Sequence, residues 1–208
     1  MLEQFGSDLR VSIPGIVQSF DAAKQTATIQ IAIREKININ GELSWVDIPL
    51  LVDSMLVVPR GGGWLVAPAI KPDDEVLVIF ADFCVDAWYQ SGGTQNNQID
   101  KRRHDLSDSF FIPGCWSQPR KIDNYPIEGI QIRNEAGTVK VELVDTTINI
   151  VGGDVAVNAD SASVTADNIE ISGSNVTIGS NTTIDGKSFL AHTHTGVETG
   201  GGNTGGVA

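Results

Sequence analysis

The sequence predicts an all-β chain with two dissimilar halves: a small barrel or sandwich, then a trimeric β-prism with a metal at its apex. Three observations predict it. Short runs of Val and Ile alternate with polar residues through the first half and are separated by turn formers. A seven-residue apolar repeat sets in at Val141. A His-x-His, His192-Thr193-His194, stands beyond the point where that repeat fades.

Composition sets the bounds. The 208 residues suffice for one domain with an extension, or for two small domains. Six of the seven Phe and all four Trp precede residue 117, so any later core must be built from Val and Ile. A net charge of -12 leaves no basic surface to displace counterions from nucleic acid or to dock on an anionic membrane. The opening MLEQFGSDLRVSIPG carries acidic residues and no apolar stretch, so no signal peptide is expected and synthesis in the cytoplasm follows. The longest apolar run, Val76 to Ala81, is far too short to span a bilayer. Cys84 and Cys115 lack metal-type spacing and read as free core thiols.

In chain order, Val11 to Val17 opens the strand series. Thr26 to Ile33 places Ile29, Ile31 and Ile33 on one face at period two. Asn38 to Glu42 reads as a loop, and Trp45 to Val52 resumes an apolar pattern. Gly61-Gly62-Gly63 breaks the chain before Trp64-Leu65-Val66. Lys71-Pro72-Asp73-Asp74-Glu75 is a turn leading into Val76 to Phe80, which reads as a strand buried on both faces. Residues 94–127 are polar and interrupted by Pro113, Pro119 and Pro126, which suggests a long loop and a linker. The basic triplet Lys101-Arg102-Arg103 within it reads as a solvated loop or as a source of salt bridges between chains.

The repeat decides the architecture. Apolar pairs at i and i+2 fall at Val141/Leu143, Ile148/Ile150, Val155/Val157, Ala162/Val164, Ile169/Ile171 and Val176/Ile178, each pair seven residues after the last. A coiled coil needs spacings of three and four, whereas spacing by two puts a pair on one face of a strand. The apolar residues are mostly β-branched, and the segments between them are Gly, Asn, Asp, Ser and Thr, which are turn formers. One chain with two inward residues per repeat buries very little. Three chains closing a prism remove the free strand edges and give each strand partners. A single-chain solenoid is the alternative, but its coils usually run about three times longer.

At the end, Phe189-Leu190 supplies an apolar plug before Ala191-His192-Thr193-His194 and a Gly-rich tail. Two histidines at i and i+2 on an extended segment project to one side. Three chains would bring six imidazoles together, a set that suits a six-coordinate transition ion such as iron, since zinc prefers four ligands.

Four segments, LRVSIPGIVQSFD, PRGGGWLVAPAIKPDDEVLVIFAD, the Val/Ile repeat and AHTHTGVETGGGNTGGV, resemble the membrane-piercing central spike proteins of contractile-tailed bacteriophages. The resemblance implies an OB-like barrel over 1–115, a linker over 116–128, an intertwined homotrimeric triple-stranded β-helix over 129–188 and an apex over 189–208. It implies one iron ion per trimer, held by His192 and His194 of three chains. The barrel would attach to the baseplate hub or tail tube, placing the protein in the virion at the tip of the tail baseplate. Sheath contraction would drive the spike mechanically through the host outer membrane, with no catalytic residues and no enzyme activity. The OB label does not bring nucleic-acid binding with it, because fold does not set function and the charge is wrong. Some relatives carry a lysozyme domain between barrel and helix, and the linker here is too short for one. The rival readings are a trimeric receptor-binding tail fibre or adhesin, the equivalent spike of a phage-derived bacteriocin or secretion apparatus, and a cell-wall hydrolase on a β-helical stalk.

Overall fold

Alternating apolar residues can close a barrel only if strands from distant parts of the chain meet, and five do so here. The computed structural model describes residues 9–179 and 181–189. By its internal contacts the chain divides into one compact unit ending at Gly153 and a second beginning at Asp154.

In the first unit, β1 (Ser12–Asp21), β2 (Thr26–Ile31), β5 (Leu51–Leu56), β8 (Glu75–Phe80) and β9 (Ser109–Pro113) form a closed barrel. Their order is β1-β2-β5-β9-β8, with β1 pairing back to β8. β5 and β9 run parallel, and every other pair in the barrel is antiparallel. This is the five-stranded Greek-key arrangement of an OB-like barrel. The turn from β1 to β2 is set by Asp21, whose Oδ1 accepts the amides of Ala23 at 2.9 Å and Lys24 at 3.1 Å. Register shifts between Val17 and Ser19 and between Ala27 and Ile29 bend the sheet, as bulges do.

The core consists of Val17, Ala27, Ile29, Ile31, Leu51, Val76, Val78, Phe80 and Phe111. The Phe111 ring meets Phe20 edge-on at 6.4 Å. At Gly15, a Cβ would come within 2.5 Å of Ile29, so the β1 backbone packs where no side chain fits.

Several expectations change. The Trp45–Val52 run is two elements: β4 (Glu42–Val46) ends before Pro49, and β5 starts at Leu51. Asn38 to Glu42 is the tip of a hairpin, with β3 (Glu35–Ile39) paired to β4 (Glu42–Val46) and Asn40 and Gly41 at positive φ. β8 is buried on alternate residues only: Val76, Val78 and Phe80 face the core, and Leu77 and Ile79 are half-buried. The long loop over 94–127 contains β9, the strand that closes the barrel. A single α-helical turn, α1 (Asp86–Gln90), interrupts the all-β pattern. Both cysteines are free but half-buried, outside the core.

A second hairpin, β6 (Arg60–Gly61) and β7 (Trp64–Leu65), turns through Gly62 and Gly63, both at positive φ. After the barrel, β10 (Ile130–Arg133), β11 (Lys140–Val144) and β12 (Thr147–Val151) form an antiparallel sheet. In the second unit, no described residue between Asp154 and Gly179 is in a strand. A small hairpin follows, β13 (Thr183–Ile184) and β14 (Lys187–Ser188), turning at Asp185 and Gly186 with positive φ.

Candidate functional site

The β10-β11-β12 sheet is inside out for a lone chain. Directly paired residues share a face, so Ile130, Leu143 and Ile148 line up across the sheet, as do Ile132, Val141 and Ile150. All six are exposed, from 38% at Val141 to 68% at Ile132 and Ile148. The opposite, polar face is better covered: Gln131, Arg133, Lys140 and Glu142 are half-buried.

That polar face is organised around Glu142. Its carboxylate takes hydrogen bonds from Lys140 Nζ at 3.0 Å, from Asn149 Nδ2 at 3.2 Å and from Gln131. These bonds, Lys140 first and Asn149 next, hold Glu142 below the usual carboxylate range. The sheet is thus satisfied on its polar side and bare on its apolar side, the reverse of an amphipathic sheet on its own core. A contiguous apolar surface of this kind marks a contact with another molecule.

The same pattern continues through the second unit. Val155, Val157, Val164, Ile169, Ile171, Val176 and Ile178 are all exposed. A strand-forming sequence there has neither a strand partner among the described residues nor an apolar neighbour to cover it. Buried backbone groups go unpaired at considerable cost, so such a segment acquires its hydrogen bonds from other chains or stays in water.

The expected metal ligands His192 and His194 lie outside the described residues. Among the described residues, one group of three donors sits within metal-binding reach: Cys84, Asp86 and Asp108. A guanidinium already occupies it. Arg102 Nε donates to Asp108 Oδ2 at 2.6 Å, and its Nη2 donates to Asp108 Oδ1 at 3.0 Å and to Asp86 Oδ2 at 2.7 Å. Asp108 is fully buried and also accepts the amide of Val85 at 2.9 Å. The hydrogen bonds that Arg102 donates to Asp108, and then to Asp86, raise its pKa further. Bidentate pairing with a fixed cation leaves this cluster a structural pin for the 81–108 loop.

One member of the basic triplet therefore differs from expectation. Arg102 is half-buried on carboxylates of its own chain, whereas Lys101 and Arg103 are exposed, Arg103 lying over the Phe83 ring at 4.0 Å. No spacing signal in the sequence marked Asp86 and Asp108 as the partners of Arg102.

The segment leaving the barrel is held down. Glu75 accepts the Ser117 hydroxyl at 2.7 Å and the Ser117 amide, and both bonds keep its carboxyl below the usual range. Arg120 donates to the Asp73 carbonyl. Further on, Arg133 donates to the carbonyls of Asp123 at 2.8 Å and Asn124 at 2.9 Å, and Trp116 lies 6.5 Å from Tyr125. No described helix is long and apolar enough to cross a membrane.

Compared with known proteins, residues 13–114 match the family model described as the phage protein Gp138 N-terminal domain. The match begins on β1 and ends just after β9, so it spans the whole closed barrel and just under half of the chain. No curated protein matches the sequence significantly. The family match and the small β-barrel together support a phage protein of the baseplate or tail-spike kind.

Proposed function

We propose that the chain is the central spike of a contractile phage tail, a homotrimer that punctures the host outer membrane mechanically when the sheath contracts. The observation that carries this reading is the exposure of apolar residues in both units: the bare Ile130–Ile150 face of the β10–β12 sheet, and, separately, the uncovered Val and Ile of the seven-residue repeat up to Ile178. Three copies turned inward about a common axis cover them and pair the strands that a lone chain leaves unpaired. A closed, edge-free needle of this kind is stiff, and stiffness is the property that puncturing demands.

The barrel, on this reading, attaches the needle to the baseplate hub or tail tube. At the other end, His192 and His194 of three chains would hold one iron ion, six imidazoles being a donor set suited to an octahedral transition ion. The ion would tie three chain ends together. Puncturing involves no bond-making step on a substrate, so the proposal includes no catalytic residue and no enzyme activity.

The test is elemental analysis of the purified protein beside a His192→Ala/His194→Ala variant, with light scattering on both. A trimer holding about one iron per three chains, lost in the variant, supports the reading. A metal-free wild-type trimer removes the ion and leaves the needle, and a monomer removes the needle as well.

A further inference from the structure

We propose that Asn40, at the tip of the β3–β4 hairpin, is a site of spontaneous deamidation whose rate is set by the Asn38 side chain. The reaction needs one chain only and is independent of the trimer.

The sequence supplies the reactive pair. Deamidation begins when the backbone nitrogen of the following residue attacks the asparagine side-chain carbonyl carbon, and a side chain on that residue obstructs the approach. Asn40 is followed by Gly41, and no other Asn in the chain is followed by glycine. The fold then sets the pair in water. Ile39 pairs with Glu42, so Asn40 and Gly41 are the whole of a two-residue loop, and both are exposed. A Cβ placed on Gly41 would meet nothing within 4 Å, so the space beside its backbone is open to solvent.

The same turn restrains the reaction. Asn40 and Gly41 have φ of 54° and 93°, the pair of positive values that a tight hairpin turn favours. The Gly41 amide donates to Asn38 Oδ1 at 2.7 Å. That N–H must lose its proton before the nitrogen can attack, and the local side-chain bond withholds it from base. The two asparagines thus have opposite parts. Asn40 carries the carbon that is attacked, and Asn38 holds the nucleophile.

Once the Asn38 bond opens, hydroxide takes the Gly41 proton and the nitrogen attacks Asn40 Cγ. The N–Cγ bond forms, the Cγ–Nδ2 bond breaks, and ammonia leaves with a proton from water. A second water opens the resulting succinimide at either carbonyl, giving aspartate or isoaspartate. In sum one water is consumed and one ammonia released, with no oxidant or cofactor. The isoaspartate product puts an extra methylene in the main chain of a loop whose ends, Ile39 and Glu42, are held in register. Either product adds a carboxylate two residues from Glu42. An exposed hydrogen bond is weak, so deleting its acceptor should speed the reaction about fivefold.

The experiment incubates the full chain at mildly alkaline pH as wild type, Asn38→Ala and Asn38→Asp, with wild type in denaturing urea as the unrestrained reference. Peptide mapping by mass spectrometry follows deamidation and isoaspartate at residue 40. The expected result is product at Asn40 ahead of every other Asn, formed about fivefold faster in Asn38→Ala and fastest in urea. Asn38→Asp keeps an acceptor oxygen and should react no faster than wild type. Equal rates in wild type and Asn38→Ala, or equal acceleration in both variants, overturn control by Asn38. An Asn40 that reacts in urea but stays intact in every folded chain overturns the site itself.

Discussion

The barrel and the repeat are written in the same alphabet. Ile29 and Ile31 in β2 alternate with polar neighbours just as Ile169 and Ile171 do, yet the first pair is buried and the second is bare. The difference lies in what the rest of the chain provides. Between residues 12 and 113 the chain turns back on itself enough times to close a cylinder, so each apolar face meets another from the same molecule. Beyond Asp154 the Gly, Asn and Ser between apolar pairs produce no such return among the described residues. Period-two hydrophobicity therefore specifies a strand and a buried face, but the number of chains that supply the cover is set by the connections.

The sharpest way to break this contrast is to charge the repeat. On the proposed trimer, Ile169→Asp with Ile171→Asp should abolish the association, lowering the mass seen by light scattering about threefold while leaving the barrel folded. An unchanged mass would show that the repeat does not carry the association. The barrel offers the converse. Phe111→Ala should cost about 3–5 kcal/mol in urea denaturation of the barrel, because a fully buried ring leaves a cavity. The oligomeric state should not move with it.

Next in size is the ion pair of the 81–108 loop. Arg102→Ala leaves Asp108 buried without its cation, and breaking such a pair typically costs about 3 kcal/mol or more. Adding Asp108→Asn should recover part of that loss, and equal melting of the single and double variants would argue against the pairing. The smallest effect concerns Glu75. Its folded pKa is lowered from 4.5, so its contribution is fully present above pH 4.5 and is lost as pH falls through the lower folded value. Hydrogen exchange at the Ser117 amide should therefore stay slow through pH 4.5 and quicken only below it. Loss of protection already at pH 5 would remove Glu75 as the cause.

Much of the barrel was legible in the sequence, for reasons that also explain what was not. The period-two pattern of Ile29 and Ile31, and the Lys71–Glu75 turn before Val76, are local signals that survive any tertiary context. β9 was hidden because Ser109–Pro113 is short, ends on a proline and follows a long polar stretch. Its strand character comes from pairing with β8 and with β5, which lie far back in the chain. The merging of β4 with β5 passed over Pro49, which cannot donate to a ladder and marks the gap. Arg102 was seen as a charge in a loop, because nothing in local spacing reveals that the loop folds it onto a buried Asp108. The apolar pairs of the repeat were visible as pairs, and their exposure in the single chain is what supports reading them as an interface. His192 and His194 are carried by the sequence alone.

The hairpin of β11 and β12 has a consequence for assembly as a process in time. Its strands are joined by a two-residue connection at Asp145 and Thr146, with Asp145 already at positive φ, and hairpins of this kind form in about 1–10 μs. Each chain can thus complete this stretch before it has met another. The described residues of the repeat downstream have no local pairing, and under the proposed trimer they would gain order only after encounter. Growth of the needle would then run in one direction, from a preformed starter toward the tip, with the first meeting of chains as its slow and concentration-dependent step.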